Sequence, residues 1–434
     1  MHSSATQIVA TLQKAGFKAY FAGGCVRDRI MGREPKDIDI ATSALPDQIE
    51  ELFSETYAVG KAFGVIHVNE NGYTFEIATF RSDSGYSDGR RPDAVLFTHA
   101  EEDAKRRDFT INALFYDPIT EEFHDFVGGR DDIGNKLIRF IGNPHERILE
   151  DHLRILRAIR FKNTLGFQYH PETYAALKKH APLADKVSWE RVRDELNKII
   201  MARSAPTAFE DMQDTGVLPY VLPELEACKG LAQPAEYHHE GDLWSHLMRA
   251  LDSLPETATL IDHWAVILHD IGKPETFKIE ERIRFDRHSE VSAEIAERIL
   301  RRLHFSRRDI EHITWVIRHH FIMKQLLDMP VGKQRKWFLD PRFPTLMNVF
   351  YADAMGTVPA SLHLYNQVKA TYDDCLRRFP ALPAPLLTGE EIMTALSLKP
   401  GPRIGEITNE LLEKQLGHEL STKEEAMEWL TNNV

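Results

Sequence analysis

Hydrophobic positions fall into two textures along the chain. Up to about residue 140 they come as short β-branched and aromatic runs: KAYFAGG (18–24), DIDIAT (37–42), VIHV (65–68), YTFEIATF (73–80) and AVLF (94–97). Gly, Asp and Pro punctuate them, as they do strands that end in turns. Between these runs, CVRDRIMG and LPDQIEELF read as helices. From about 141 the period lengthens: RILEDHLRILRAIRFKNTLGF, ERVRDELNKIIM and SAEIAERILRRLHF repeat apolar residues every three to four positions, and strand patterns almost vanish. Turn clusters at Gly142-Asn143-Pro144, GVLPYVLP (216–223) and PALPAP (380–385) divide the helical stretch. The pattern predicts an α+β chain, a head with one small mixed sheet followed by an all-helical body.

Composition narrows the classes. At 434 residues the chain is long enough for two to four domains. Its 53 basic against 66 acidic residues give a net charge of −13, which excludes a polyanion binder acting by bulk charge and leaves local basic surfaces open. No apolar run approaches the roughly 18 residues of a membrane span. The first residues, MHSSATQIVATL, lack a basic region followed by an apolar core. Cys25, Cys228 and Cys375 are too few and scattered for a disulfide framework or a four-thiolate zinc site. A soluble cytoplasmic protein without membrane contact is expected.

Chemistry concentrates first in K-D-I-D-I-A-T. On a strand, Asp37 and Asp39 put both carboxylates on one face, with Ile38 and Ile40 facing the core. Adjacent carboxylates on a rigid element repel unless a cation lies between them, the arrangement that Mg2+ chemistry needs. A solvated strand end with two chance acids is the plain alternative. Upstream, Gly23-Gly24 ends a strand and opens a helix in G-G-C-V-R-D. Such a turn lets backbone N–H groups approach a phosphate, and the helix N-terminus and Arg27 add positive potential. Turn, arginine and carboxylate pair together describe a site for an Mg2+-nucleoside triphosphate. Glu76 is either a third acid or an ordinary cross-strand glutamate.

The same residues carry a resemblance. AGGCVRDRIMGREPKDIDIAT resembles the signature of the nucleotidyltransferase superfamily, in particular the bacterial class II tRNA nucleotidyltransferases and their poly(A) polymerase relatives. The similarity continues collinearly through FRSDSGYSDGRRPDAVLF (80–97), RRDFTINALFYDP (106–118), FVGGRDDI (126–133) and ERILEDHLRILRAIRF (146–161). It implies that Asp37 and Asp39 are catalytic Mg2+ ligands. It also implies that Gly24, Arg27, Arg107, Asp108, Arg157 and Arg160 surround the bound nucleotide, Arg107 and Asp108 at its ribose. In the family, the segment matching 80–92 is a flexible loop used in switching from C to A addition. Here it is full length, with Arg81, Arg90 and Arg91 intact, which favours an enzyme able to add A.

The helix expected from Ile148 to Lys162 carries a second group. At about 100° per residue, Leu149, Leu153 and Leu156 form one apolar stripe. Asp151 and Arg154 lie about 60° apart on another face. Arg160 falls on the stripe, so it needs a carboxylate or a ligand phosphate. An Asp151–Arg154 surface ion pair is the structural alternative to a functional pair. Cytosine and adenine both present an exocyclic amine beside a ring-nitrogen acceptor, so a fixed Asp accepts from the amine while Arg donates to the neighbouring atom. Uracil and guanine place a carbonyl where the amine would be and meet an acceptor with an acceptor. In the family an E-D-x-x-R element makes this readout, and Glu150, Asp151 and Arg154 match it.

Ten of the 20 histidines fall between His238 and His320. His269-Asp270 ends an apolar helix in WAVILHDIGKP, with His246 upstream and Asp353 downstream. This order resembles the HD superfamily of metal-dependent phosphohydrolases and implies a metal site of His246, His269, Asp270 and Asp353. Imidazole with carboxylate suits a divalent transition metal better than Mg2+. His288, with His319 or His320, is a candidate for a second metal or for phosphate. Basic clusters at Lys178-Lys179, Arg298 with Arg301-Arg302, Arg307-Arg308 and Lys333–Lys336 would meet an RNA backbone only if they converge.

The expected division is a nucleotidyltransferase head (1–140), a helical neck (141–225), an HD domain (226–355) and a helical tail (356–434). The expected activity is template-independent addition or repair of CCA at the tRNA 3′ end with CTP and ATP. A poly(A) polymerase or A-adding enzyme is the neighbouring alternative. An HD phosphohydrolase acting on RNA ends with an inactive head, or a non-enzymatic RNA-binding module, are the alternatives from other classes. Oligomeric state is left open.

Overall fold

The short runs of the first 140 residues form strands in the computed structural model, which describes residues 1–58, 60–84, 94–234, 239–280 and 283–433. The chain divides into two compact units, Met1–Val221 and Leu222–Val434. In the first, β1 (Ala19–Ala22), β2 (Asp39–Thr42), β3 (Thr56–Tyr57), β4 (Val65–Glu70) and β5 (Tyr73–Thr79) form most of a seven-stranded mixed sheet. A hairpin of β6 (Arg81–Ser84) and β7 (Ala94–Phe97) pairs separately. Two strands that the runs did not announce, β8 (Leu114–Asp117) and β9 (Glu122–Asp125), complete the main sheet in the order β3-β4-β5-β2-β1-β8-β9. Among the described strands of this sheet, only β2 and β5 pair in parallel.

Alternation sets the faces. Ile66, Val68, Phe75 and Ile77 are almost wholly buried, so Glu76, between two of them, points to the opposite face of β5. The helix His2–Lys14 buries Ile8, Val9 and Leu12 and packs against β1 and β2. Asp37 departs from the expectation: β2 begins at Asp39, and Asp37 lies in the exposed segment leading into it. Ile38 and Ile40 are buried as expected.

The helix expected from Ile148 to Lys162 is two helices, Pro144–Glu150 and Arg154–Leu165. Asp151 leaves helical geometry with φ −147° and ψ 105°, and its Oδ1 accepts a hydrogen bond from Leu153 N at 3.1 Å. An aspartate that bonds the backbone two residues on starts a turn, and here it starts the second helix. The break resets the helical phase. Leu149 is consequently 50% exposed, while Leu153 and Leu156 are buried.

Among its described residues the second unit is helical apart from one antiparallel strand pair, Phe277–Ile279 with Ile283–Phe285. Helices Leu243–Asp252, Leu260–Leu268, His288–Arg302, Arg307–His319 and Phe343–Gly356 bury Leu247, Trp264, Ile299, Ile313 and Leu346. Gly272 shows how closely they pack: a Cβ there would lie 2.5 Å from Ser292 N. Farther along, Gly389–Leu396, Pro402–Leu416 and Lys423–Asn433 enclose a small core with Ile392, Ile407, Leu411 and Leu430. Among the described residues no helix is long and apolar enough to cross a membrane.

Candidate functional site

The structure brings Gly24, Arg27, Asp37, Asp39, Arg107, Asp108, Asp151, Arg154, Arg157 and Arg160 around one cleft of about 650 Å³ in the first unit. Gly23 caps β1 at φ +77°, and a side chain there would crowd the Arg107 guanidinium at 3.1 Å. From the helix it opens, Arg27 donates from Nη1 to Asn112 Oδ1 at 2.7 Å and from Nη2 to Asp28 Oδ1 at 2.7 Å. Those bonds aim a buried cation at the cleft.

Glu76 joins Asp37 and Asp39 on the cleft wall, because the parallel pairing of Ile40 with Ile77 sets β5 beside β2. Asp39 is open to the cleft yet lies among protein atoms. Partial burial, then the charges of Glu76 and Asp37, push its carboxyl up to about 6, with Arg107 opposing. Three oxygen-only side chains, two of which raise the proton affinity of Asp39, fit a hard divalent cation such as Mg2+.

The arginines do not float. Asp108 Oδ2 accepts from Arg157 Nε and Nη2 at 2.8 and 2.5 Å. Arg160 donates from Nε to Glu195 Oε2 at 2.5 Å, the carboxylate its place on the buried stripe called for. Arg107 is held by Asp103, a buried acid that also binds Arg106. Asp151 and Arg154 do not pair with each other. Arg191 grips Asp151 with two hydrogen bonds of 3.0 and 2.8 Å, and Arg154 donates to Glu150 Oε2 at 2.6 Å and to Arg147 O at 2.8 Å. Glu150 thus serves Arg154 and does not line the cleft.

Arg191, Glu195, Asp103 and Asn112 were not picked out from the sequence. Glu195→Ala would strand Arg160 as a largely buried charge. Urea unfolding of that variant is expected to lose about 3 kcal/mol, and Glu195→Gln less. Equal stability of the two variants and the parent would show that Arg160 is solvated. Arg90 and Arg91 lie outside the described residues.

The second unit gathers His246, His269, Asp270 and Asp353, with His288 and His320 beside them. His238 lies outside the described residues. His320, not His319, joins the cluster; the His319 ring packs at a tilt against Trp315 and Trp337. His269, His288 and His320 each set Nδ1 against a backbone carbonyl, Val266 O, Phe285 O and Ile317 O, at 2.7, 2.8 and 2.6 Å. That fixes the proton on Nδ1 and turns Nε2 inward, the tautomer a metal requires. The Nε2 atoms of His269 and His288 are buried and make no hydrogen bond. Asp270 joins both halves: Oδ2 lies 3.3 Å from His269 Nε2 and 3.8 Å from His246 Nε2, while Oδ1 lies 3.3 Å from His288 Nε2 and 3.9 Å from His320 Nε2. Lys273 Nζ sits 2.6 Å from Oδ2. This donor set fits divalent transition metal. The basic clusters are partly committed to acids within their own units, Arg302 to Glu224, Arg301 to Glu297, Arg307 to Glu311 and Lys336 to Glu413.

Known proteins resemble this chain in both units. Residues 19–139 match the poly A polymerase head domain, 166–229 the probable RNA and SrmB-binding site of polymerase A, and 243–354 the HD domain. A CCA-adding enzyme of Latilactobacillus sakei is 39% identical over 269 residues, covering 60% of this chain and 68% of that protein. One of Limosilactobacillus reuteri is 41% identical over 250 residues, covering 56% and 62%. The chain spans between about three fifths and two thirds of the length of these curated relatives. The Bacillus stearothermophilus CCA-adding enzyme, solved in complex with CTP, superposes with a TM-score of 0.73 at 26% identity, over 99% of this chain and 96% of that one.

Proposed function

The chain belongs to the CCA-adding enzyme family, and from that premise we propose that it adds or repairs the 3′-terminal CCA of tRNA with CTP and ATP. The observation that carries this reading is the locked pair in the cleft. Asp151, clamped by Arg191, presents an acceptor, and Arg154, clamped by Glu150, presents donors, with no nucleic-acid template needed. Together they suit the amine edge of cytosine or adenine and reject a carbonyl in that place, since an unpaired buried polar group is costly.

In the reaction, the RNA 3′-hydroxyl attacks the α-phosphate in line and pyrophosphate leaves. Asp37 and Asp39, with Glu76 near them, would hold the cation; bound Mg2+ supplies charge neutralisation at the phosphates and a more acidic hydroxyl. Arg27 would face the triphosphate, Arg107 and Asp108 the ribose, and Arg157 and Arg160 the nucleotide's other edge. The division into head (1–140), neck (141–225), HD domain (226–355) and tail (356–434) belongs to this reading, as does a cytoplasmic place of work. A second reading rests on the His/Asp cluster: a transition-metal phosphohydrolase that acts on RNA 3′ ends. There His246, His269, Asp270 and Asp353 would hold the metal, which supplies an acidified water when bound.

The deciding assay offers tRNAs lacking their last three, two or one nucleotides to each nucleoside triphosphate separately. C, C and A in turn are expected; A alone on every substrate would replace the reading with an A-adding enzyme. Exchanging the base readers, Asp151→Ala with Arg154→Ala, is expected to erase discrimination against UTP and GTP, a loss of about 10²-fold or more in selectivity. An equal fall in rate for all four nucleotides would make the pair structural.

A further inference from the structure

A second cavity, of about 460 Å³, lies in the first unit and shares no lining residue with the cleft. Its size is within the roughly 300–1,000 Å³ of small-molecule sites. Phe126, Phe140 and Ile141 give it an apolar wall, and Lys105, Arg139, Arg147 and His170 give it basic groups. Phe126 is 41% exposed, a large aromatic surface left uncovered. Glu172 is the acid on the wall, and its side chain is 75% exposed. His170 Nδ1 is buried without a hydrogen bond, 4.0 Å from Glu172 Oε2. Lys105 pairs with Glu101 and Glu102, and Arg139 with Asp132, while each cation stays about two fifths or more exposed. The Lys105 pairs are exposed at both ends, so they are weak and easily exchanged for a ligand phosphate, whereas the buried Asp132 holds Arg139 through both of its oxygens as a fixed cation at the wall.

The wall also connects to the base readers. Arg147 donates from Nε to Ile141 O at 2.9 Å and from Nη2 to Lys105 O at 2.8 Å, both residues of this cavity. Its Nη1 donates to Glu150 Oε2 at 2.7 Å, the same oxygen that accepts from Arg154 at 2.6 Å. One carboxylate oxygen therefore joins the cavity wall to the arginine that faces the incoming base. We propose that this cavity is a second site for a nucleotide unit, its base against Phe126 and its phosphate toward Lys105, Arg139 and His170, and that occupancy tunes base selection through Arg147. The coupling rests on the base-reading role of Arg154; the binding site does not.

The test is calorimetric titration of the full chain with ATP. Two ATP per chain are expected. Phe126→Ala with Lys105→Ala should leave one, in the cleft, since neither change touches the cleft or the Lys105 carbonyl. If that variant melts below the parent, His170→Ala replaces it. Prior saturation with a tRNA lacking its 3′ end separates the sources. Loss of the second ATP there assigns the cavity to a nucleotide of the RNA, and retention assigns it to free nucleotide. One ATP per chain in the parent, with tRNA affinity unchanged in the Phe126/Lys105 variant, overturns the site. For the coupling, that variant is expected to shift the CTP-to-UTP incorporation ratio about 5-fold with its rate on CTP retained. An unchanged ratio overturns the coupling, and failure of CCA addition itself would leave the ATP count readable.

Discussion

Asp37→Ala and Asp39→Ala are each expected to cut nucleotide addition by about 10³-fold or more, beyond the roughly 10²–10³ that follows loss of a single transition-state donor. The folded protein should survive both changes. Asp37 is exposed ahead of β2, and Asp39 opens to the cleft, so neither fills a core position. Removing Asp39 takes away a carboxylate that partial burial, then the charges of Glu76 and Asp37, push up to about 6. A small gain in melting temperature without Mg2+, together with a lost response to added Mg2+, is therefore expected of Asp39→Ala. That pairing separates a cation site from a structural acid, which would lose stability and keep its response. Asp39→Asn keeps the shape and should be as inactive as the alanine variant. Either purified variant adding CMP at the parent rate would remove the carboxylate pair from the chemistry.

The parts of this site that could be read in the sequence are those whose partners are close along the chain. Gly23-Gly24, Arg27, Asp37 and Asp39 sit within one strand–helix–strand passage, so spacing alone places them together. His269 and Asp270 were legible for the same reason. What spacing does not carry is a partner met through the fold. Arg191 clamps Asp151 from 40 positions away, and Glu195 meets Arg160 from 35; on the helix Trp189–Ile200 both look like ordinary polar residues of an amphipathic face. The break at Asp151 was hidden for another reason. The leucines kept helical spacing across it, and periodicity does not register one residue that bonds the backbone with its side chain. β8 escaped because LFYD is buried at every position, without the alternation that marks a half-buried strand.

The second large effect concerns the helical unit. His269→Ala with Asp270→Ala is expected to abolish transition-metal binding and any metal-stimulated phosphohydrolysis, while nucleotide addition to intact tRNA continues at the parent rate. Asp270 is the pivot, with one oxygen toward His246 and His269 and the other toward His288 and His320. Burial works against a charged imidazole at His269, but the carboxylates of Asp270 and then Asp353 override it and raise its pKa to about 10. Burial, then the His269 charge, pushes His320 down to about 4, so it stays neutral. In the metal-free protein His269 therefore carries a proton at pH 7 where a metal would compete for the same lone pair. Two consequences have a definite sign. Because its folded pKa lies above the ordinary value near 6.5, its contribution to metal-free stability is fully present below that pH and is lost as pH rises through about 10. Metal uptake at pH 7 must also expel that proton, so affinity for Mn2+, Co2+ or Ni2+ should strengthen as pH rises from 7 toward 10. Calorimetry in two buffers of different ionisation enthalpy reads the proton directly. About one proton released per metal by the parent is expected, with no binding heat from the double variant. Binding without proton release would show that His269 is already neutral in the metal-free protein; bound metal without hydrolysis of 2′,3′-cyclic or 3′-phosphate RNA ends would leave the cluster a structural centre.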